Sequence, residues 1–311
     1  MTDVTKRPRD EYWRVVVLSN IQGGVVFHHV SRVVRPLGHK VVGVVTTPGP
    51  KRLYDPAYLD VVAEAARETE VLVTARPSKL ASMLQVWNPD LTVVGGFPWK
   101  LPPEVVELPR LGTINIHPSL LPRNRGRYTL EWTFRHGDAE TGFTIQRMAP
   151  QFDRGPILAQ NSVPIEDDDD GASLLDKMMP TLPALLSDAF ERVAREEPGE
   201  PQDESRATDS PAFEPEWREI DWAQPARAIH NQVRSWTGIR LTPKGAFGDV
   251  GGDRLLILRT RLETEEGHES GQPPGTVIDR NAESIVVQTG EGPLRIVEWK
   301  GVDEGPETKS G

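Results

Sequence analysis

Gly112-Thr113-Ile114-Asn115-Ile116-His117-Pro118-Ser119-Leu120-Leu121-Pro122 reads as a β-strand that stops at a proline. Side chains of a strand alternate faces, so Ile114 and Ile116 point into a core while Asn115 and His117 point together the other way. Pro118 has no N–H for a ladder and ends the strand. An amide and an imidazole then sit side by side at the carboxyl end of a strand, where open α/β sheets hold ligands. Taken alone, the same pair also fits two satisfied polar groups at a sheet edge.

Outward from this segment, the amino-terminal part alternates short β-branched runs with longer amphipathic stretches, the pattern of a parallel sheet covered by helices. Strands are expected at 14–18, 40–46, 70–74, 91–94, 112–117 and 142–148, with helices over 25–34, 57–68 and 79–87. Asp167-Asp168-Asp169-Asp170 precedes Gly-Ala-Ser-Leu-Leu. Acids there satisfy the free N–H groups of a helix start, a reading preferred to a metal site. After Arg195 the run EEPGEPQDESRATDSPAFEPE is acidic, proline-rich and nearly without apolar residues, as a linker is. A helix over 225–236 and short strands at 255–260, 275–278, 284–288 and 294–299 follow, separated by Gly-rich turns. The expected fold is α/β: a Rossmann-like parallel-sheet domain over 1–196, a linker over 197–216 and a small OB-like β-barrel domain over 217–311.

Composition narrows the chemistry. The 311 residues include 36 Lys and Arg against 46 Asp and Glu, a net charge of −10, and no cysteine. Disulfides, Cys-ligated zinc, iron–sulfur clusters and thiol nucleophiles are thereby excluded. The N-terminus MTDVTKRPRDEYW carries both signs of charge, and the apolar run Val15 to Leu18 after it is too short for a signal peptide. No window approaches the ~18 apolar residues of a membrane span. A cytoplasmic protein with no membrane partner is expected. The negative charge weighs against nucleic acid as the main partner, although a local basic face can hide in an average.

Asp153 lies 36 residues beyond His117, in a loop after the strand that ends near Met148. NIHPSLLP (115–122), RNRG (123–126), GDAETGFTI (137–145) and FDRGPI (152–157) occur in that order. Together they closely resemble the N10-formyltetrahydrofolate-dependent formyltransferase family, whose members formylate methionyl-tRNA, glycinamide ribonucleotide or sugar nucleotides. GGFPWKLPPEVVELPRLG (95–112) resembles the family's approach to the catalytic strand, and EIDWAQPARAIHNQVRSW (219–236) the opening of its C-terminal domain.

The resemblance implies that Asn115, His117 and Asp153 are the catalytic residues. Asn115 and His117 would stabilise the tetrahedral oxyanion, while Asp153 would orient His117 and relay protons. It implies N10-formyltetrahydrofolate as co-substrate, no metal, and folate contacts from Gly95, Gly96, Phe97, Trp99, Gln146 and Phe152. Phe97 and Trp99 equally suit a Gly-Pro turn with two core aromatics. Gln22 and Gly23, with His28 and His29, follow the first strand and could line an acceptor pocket, or simply be solvated helix residues. Ser119 lacks the setting of a nucleophile elbow and reads as a turn residue. SNIQGG lacks the spacing of a dinucleotide fingerprint. His136, His230 and His268 receive no role.

For the acceptor, two features favour a small-molecule amine, an amino sugar nucleotide or a biosynthetic intermediate, and rank tRNA second. The loop Thr47 to Pro56 is short, with one basic pair, Lys51-Arg52, where tRNA-acting members carry a longer basic loop. Residues 206–311 carry 13 Lys and Arg against 18 Asp and Glu, a charge of −5, whereas gripping tRNA requires neutralising several phosphates. Arg127, where tRNA enzymes of the family carry alanine, could meet a phosphate or carboxylate. Methionyl-tRNA formyltransferase and a catalytically silent folate-binding module are the alternatives. Dimerisation through the C-terminal domain is left open.

Overall fold

The computed structural model describes residues 12–50, 56–237, 244–263 and 271–302. Residues 1–11, the Lys51-Arg52 pair and His268 lie outside the described residues. The chain divides into two compact units, one of residues 1–125, 142–161 and 180–208, the other of 126–141, 162–179 and 209–311.

The first unit is organised on strands β1 (Arg14–Ser19), β2 (Lys40–Thr46), β3 (Glu70–Val73), β4 (Leu91–Gly95), β5 (Thr113–His117), β6 (Glu140–Arg147) and β7 (Ile157–Pro164). They form one sheet in the order β3-β2-β1-β4-β5-β6-β7. The pairings from β3 through β5 are parallel, and β6 runs antiparallel to β5. Val15, Val16, Val17 and Leu18 of β1 are fully buried, as expected of a central strand covered on both faces. Each such side chain contributes about 1.5–3 kcal/mol by leaving water.

Helices α1 (Val25–Val34), α2 (Ala57–Ala65), α3 (Leu80–Leu84) and α4 (Pro103–Val106) connect the parallel strands, and α7 (Leu182–Ala194) packs on α1. The expected first helix matches α1 residue for residue. The third is broken: 3-10 turns at Pro77–Lys79 and Gln85–Trp87 flank the five residues of α3. The sequence reading misses β7, because Gln160-Asn161-Ser162 interrupts its apolar pattern.

In the second unit, α5 (Thr129–His136), α6 (Gly171–Met178) and α8 (Ala226–Ser235) accompany an antiparallel sheet of β8 (Ala246–Val250), β9 (Asp253–Leu262), β10 (Val277–Arg280), β11 (Ile285–Gln288) and β12 (Pro293–Gly301). Its order is β8-β9-β12-β11-β10. Val233 of α8 and Trp236 after it enter a core with Val250, Ile257, Ile285, Val287 and Ile296. Strand β8 escapes the sequence reading because Gly248 and Asp249 are poor strand formers. The aspartate run behaves as a helix start. Asp170 caps α6 by accepting from the Ala172 and Ser173 N–H groups, and Ser173 Oγ accepts from Asp170 N–H in return. No helix among the described residues is long and apolar enough to cross a membrane.

Candidate active site

At the carboxyl end of β5, Ile114 and Ile116 are buried in the sheet core, and Asn115 and His117 alternate with them as the strand geometry requires. Across the antiparallel pairing, Asn115 stands opposite Gln146 and His117 opposite Thr144. The turn after the strand is held by side chains. Ser119 Oγ donates to Arg123 O at 2.7 Å, and Thr144 Oγ1 donates to Ser119 O at 2.6 Å. Gln160 Nε2 donates to Leu121 O and to Thr144 Oγ1. Ser119 is thus the turn residue it resembles.

His117 is 3% exposed. Its Nε2 lies 3.0 Å from Asn124 O and its Nδ1 lies 3.6 Å from Asp153 Oδ1. A carbonyl only accepts, so Nε2 carries a hydrogen, and in the neutral ring Nδ1 is the unprotonated nitrogen facing the carboxylate. The 3.6 Å gap exceeds a hydrogen bond.

The loop that delivers Asp153 depends on one glycine. A Cβ on Gly155 would stand 1.7 Å from Arg147 O, far inside van der Waals contact, so only glycine lets the loop close back on β6. Arg147 N–H then donates to Pro156 O at 2.9 Å. Asp153 itself takes φ 52°, the left-handed region that Asp tolerates better than most residues. Gln146, 2% exposed, donates from Nε2 to Asp153 Oδ1 at 3.1 Å.

Asn115, Gln146, Asp153, Trp99, Phe152 and Met148 share the lining of one small depression. The Asn115 amide has no hydrogen-bond partner among the described residues. Trp99 donates its indole N–H to Thr47 Oγ1 at 3.0 Å. Phe152 is 61% exposed, with Lys100 Nζ 5.2 Å from its ring centroid. Phe97 instead packs into the core beside Val94, Leu101 and Met148. Gly95 sits where a Cβ would come within 2.9 Å of Val26 Cγ2, and Gly96 adopts φ 64°. Gln22 and Gly23 belong to a single 3-10 turn leading into α1, and Gly23 does not line the depression. Arg127 is exposed in the second unit, its guanidinium 5.9 Å from the Tyr128 ring.

Sequence reasoning misses Gln202, within the linker run. Its side-chain nitrogen lies 2.8 Å from both Asp153 O and Gly155 O and 3.2 Å from Gln146 Oε1. A lone amide in a polar, aperiodic run carries no signal of such a contact.

Residues 14–189 match the formyl transferase family model and residues 213–303 match the model of the formyl transferase C-terminal domain. The chain belongs to the formyl transferase family. Its relatives include the methionyl-tRNA formyltransferase of Pelobacter propionicus, 35% identical over 84% of this chain and 81% of that protein. Eight relatives bearing that name are 31–36% identical to it.

Among solved structures, HypX from Aquifex aeolicus in complex with tetrahydrofolic acid is 20% identical, with a TM-score of 0.62. The match covers 94% of this chain and 45% of HypX, so the chain spans less than half of that protein's length. WlaRD, a sugar 3N-formyl transferase, is 12% identical over 95% of this chain and all of its own, with a TM-score of 0.65. At these identities the two structures bear on the fold alone.

A formyl transferase is an enzyme, which displaces the silent-module reading. The comparisons also correct the expected acceptor. Relatives above 30% identity over most of the chain are named for methionyl-tRNA, whereas the sugar enzymes are only distant structural neighbours. The preference for a small amine and the second rank given to tRNA are therefore overturned. Their physical weakness is that net charge sums over a surface, while phosphates meet individual cations.

Proposed function

We propose that the chain transfers the formyl group of N10-formyltetrahydrofolate to the α-amino group of methionyl-tRNA. The observation that carries this reading is the meeting of Asn115, His117 and Asp153 at the end of β5, in a chain whose relatives are named for that reaction. The depression suits a flat heterocycle bearing a formyl group. It is lined by the aromatic residues Trp99 and Phe152, by residues 148–153, and by Asn115, whose amide has no hydrogen-bond partner among the described residues. When bound, N10-formyltetrahydrofolate supplies the activated formyl carbon.

In the reaction the amine lone pair forms a new C–N bond to that carbon, the bond from the carbon to N10 breaks, and the amine's proton passes to N10. Asn115 donates to the formyl oxygen as negative charge grows there, the kind of contact worth about 10²–10³ in rate. His117 is committed through Nε2 to Asn124 O. It therefore serves through Nδ1, with Asp153, in taking up and returning the proton.

The acceptor side is supported by three exposed cations of the second unit. Lys244, Arg259 and Lys300 line one depression there together with Asp167, Asp168, Asp169, Asp170 and Glu298, and the three cations form no ion pair among the described residues. They are free to meet phosphates. The division into a catalytic domain over 1–196, a linker over 197–216 and a C-terminal domain over 217–311 belongs to this proposal, as does a cytoplasmic location.

The direct test incubates the protein with N10-formyltetrahydrofolate and methionine-charged initiator tRNA, and measures formyl-methionyl-tRNA and tetrahydrofolate together. Equal amounts of the two products are expected. Tetrahydrofolate released while the tRNA stays unformylated would overturn the assignment.

A further inference from the structure

We propose that Gln202 is a positioning residue that fixes which end of the Gln146 amide faces the Asp153 carboxylate. The inference rests on the formyl-transfer reading and adds to it a residue outside the recognised motifs.

The polarity starts at Arg125, whose side chain is 2% exposed. Its Nε and Nη2 donate to Gln202 Oε1 at 3.1 and 2.7 Å. A guanidinium only donates, so the Gln202 oxygen must face Arg125 and its nitrogen must face away. That nitrogen meets three acceptors, the carbonyls of Asp153 and Gly155 and Gln146 Oε1. With its oxygen drawn to Gln202, Gln146 turns Nε2 to Asp153 Oδ1, the atom facing His117 Nδ1. Remove the Gln202 donor and Gln146 loses the contact that selects this orientation. The flipped amide would set an oxygen against a carboxylate, which disfavours the ionised form.

The relay is anchored by charge. Glu204 accepts from Arg125 Nη1 at 2.9 Å and Nη2 at 2.7 Å, and pairs with Arg154. Hydrogen bonds from Arg125, aided by the charges of Arg125 and Arg154, hold the Glu204 carboxyl well below its usual range. The anchor therefore stays charged well into the acid range. Arg125 belongs to RNRG and Asp153 to FDRG, so the linker residues Gln202 and Glu204 tie the two motifs together within the first unit. Among the described residues, the titratable and charged groups around the Asp153 loop include His117 from β5, Lys100 before α4, Arg147 at the end of β6, Arg154 beside Asp153, and the Arg125–Glu204 pair. Replacing Gln202 with a neutral residue removes none of them.

The experiment is the pH profile of kcat/KM for wild type, Gln202→Met, Gln146→Met and Asp153→Asn, with thermal melts alongside. Gln202→Met is expected to lower kcat/KM about tenfold at neutral pH and to move the acid limb upward by roughly one pH unit, as an ionised carboxylate loses its oriented donor. Gln146→Met, which deletes the donor itself, should move the limb in the same direction, and it supplies the decision if Gln202→Met does not fold. A rate lowered equally at every pH, with the limb in place, would mean that Gln202 only supports the loop and would overturn the inference. Asp153→Asn at wild-type activity would overturn the reading of the site itself. A dead Asp153→Asn beside an unmoved limb in the Met variants sinks only the role of Gln202.

Discussion

Two buried histidines, one in each unit, show opposite uses of the same ring. His117 gives one nitrogen to a backbone carbonyl and keeps the other 3.6 Å from a carboxylate. His230, 2% exposed, has both nitrogens taken, Nδ1 by Thr260 Oγ1 at 2.8 Å and Nε2 by Asp167 O at 2.9 Å. Burial, reinforced by the neighbouring Arg234 charge, pushes its pKa down to about 4. A satisfied imidazole held neutral is a structural pin. An imidazole with one nitrogen left facing a carboxylate is, in the proposed reaction, a reagent.

Catalytic substitution separates the two most strongly. His117→Ala and Asn115→Ala should each lower turnover on the order of 10²–10³. His230→Ala should act mainly on stability, by about 1–3 kcal/mol for the unsatisfied groups left behind. Single-turnover rates and denaturant melts on the same preparations distinguish these effects. Near-normal turnover in both first-unit variants would end the assignment of the site.

Next in size is Gly155→Ala. The new methyl carbon would stand 1.7 Å from Arg147 O, and no side-chain rotation can relieve that overlap, because its position is fixed by the backbone of the loop and of β6. A loss of roughly 2–4 kcal/mol is expected, toward the upper end for a point change, since the loop must reopen. A melting curve within ~0.5 kcal/mol of wild type would show that the loop moves freely. The close packing argued for the Asp153 loop would then be lost.

The first unit was the more legible of the two, for physical reasons. Runs such as Val15 to Leu18 read as a doubly covered strand because burial on both faces removes alternation, and α1 reads from its apolar face. Strand alternation put Asn115 and His117 on one face, but only the family resemblance carried by the ordered motifs singled them out, together with Asp153, as catalytic. Phe97 could not be resolved, since an aromatic beside a glycine turn has the same pattern in a core or against a ligand. Gln202 was invisible because its role depends on long-range contacts to Arg125, Gln146 and the Asp153 loop.

In the second unit the difficulty was position. A charge of −5 summed over residues 206–311 does not say where individual cations stand, and Lys244, Arg259 and Lys300 come together only in the folded chain.

The pH dependence of stability sharpens the contrast. His230 binds a proton in the unfolded chain below about pH 6.5 and in the folded chain only below about 4. Between those values the unfolded state holds more protons, so this residue's contribution to stability falls as pH drops from 6.5 toward 4 and levels off below. At pH 5 the loss from this group is on the order of 2 kcal/mol. His230→Asn should flatten that part of a plot of unfolding free energy against pH relative to wild type. An unchanged slope would show that the ring is already protonated when folded, and the distinction from His117 would fail.

The smallest expected effects belong to the second unit's exposed cations, and they test the correction of the acceptor. If Lys244, Arg259 and Lys300 each neutralise a phosphate, every Lys→Ala or Arg→Ala change releases one fewer counterion on binding. The slope of log affinity for methionyl-tRNA against log salt should then shallow by about 1 per residue. At moderate salt the loss is up to about tenfold in KM for the tRNA, with kcat moving less, because a contact made equally in ground and transition states changes binding alone. Reactions run at several salt concentrations over a range of tRNA supply both numbers. Three variants with wild-type slopes would place the acceptor's phosphates elsewhere, while leaving the chemistry at Asn115, His117 and Asp153 untouched. The two regions can therefore fail independently, as expected if one carries out formyl transfer and the other holds the acceptor.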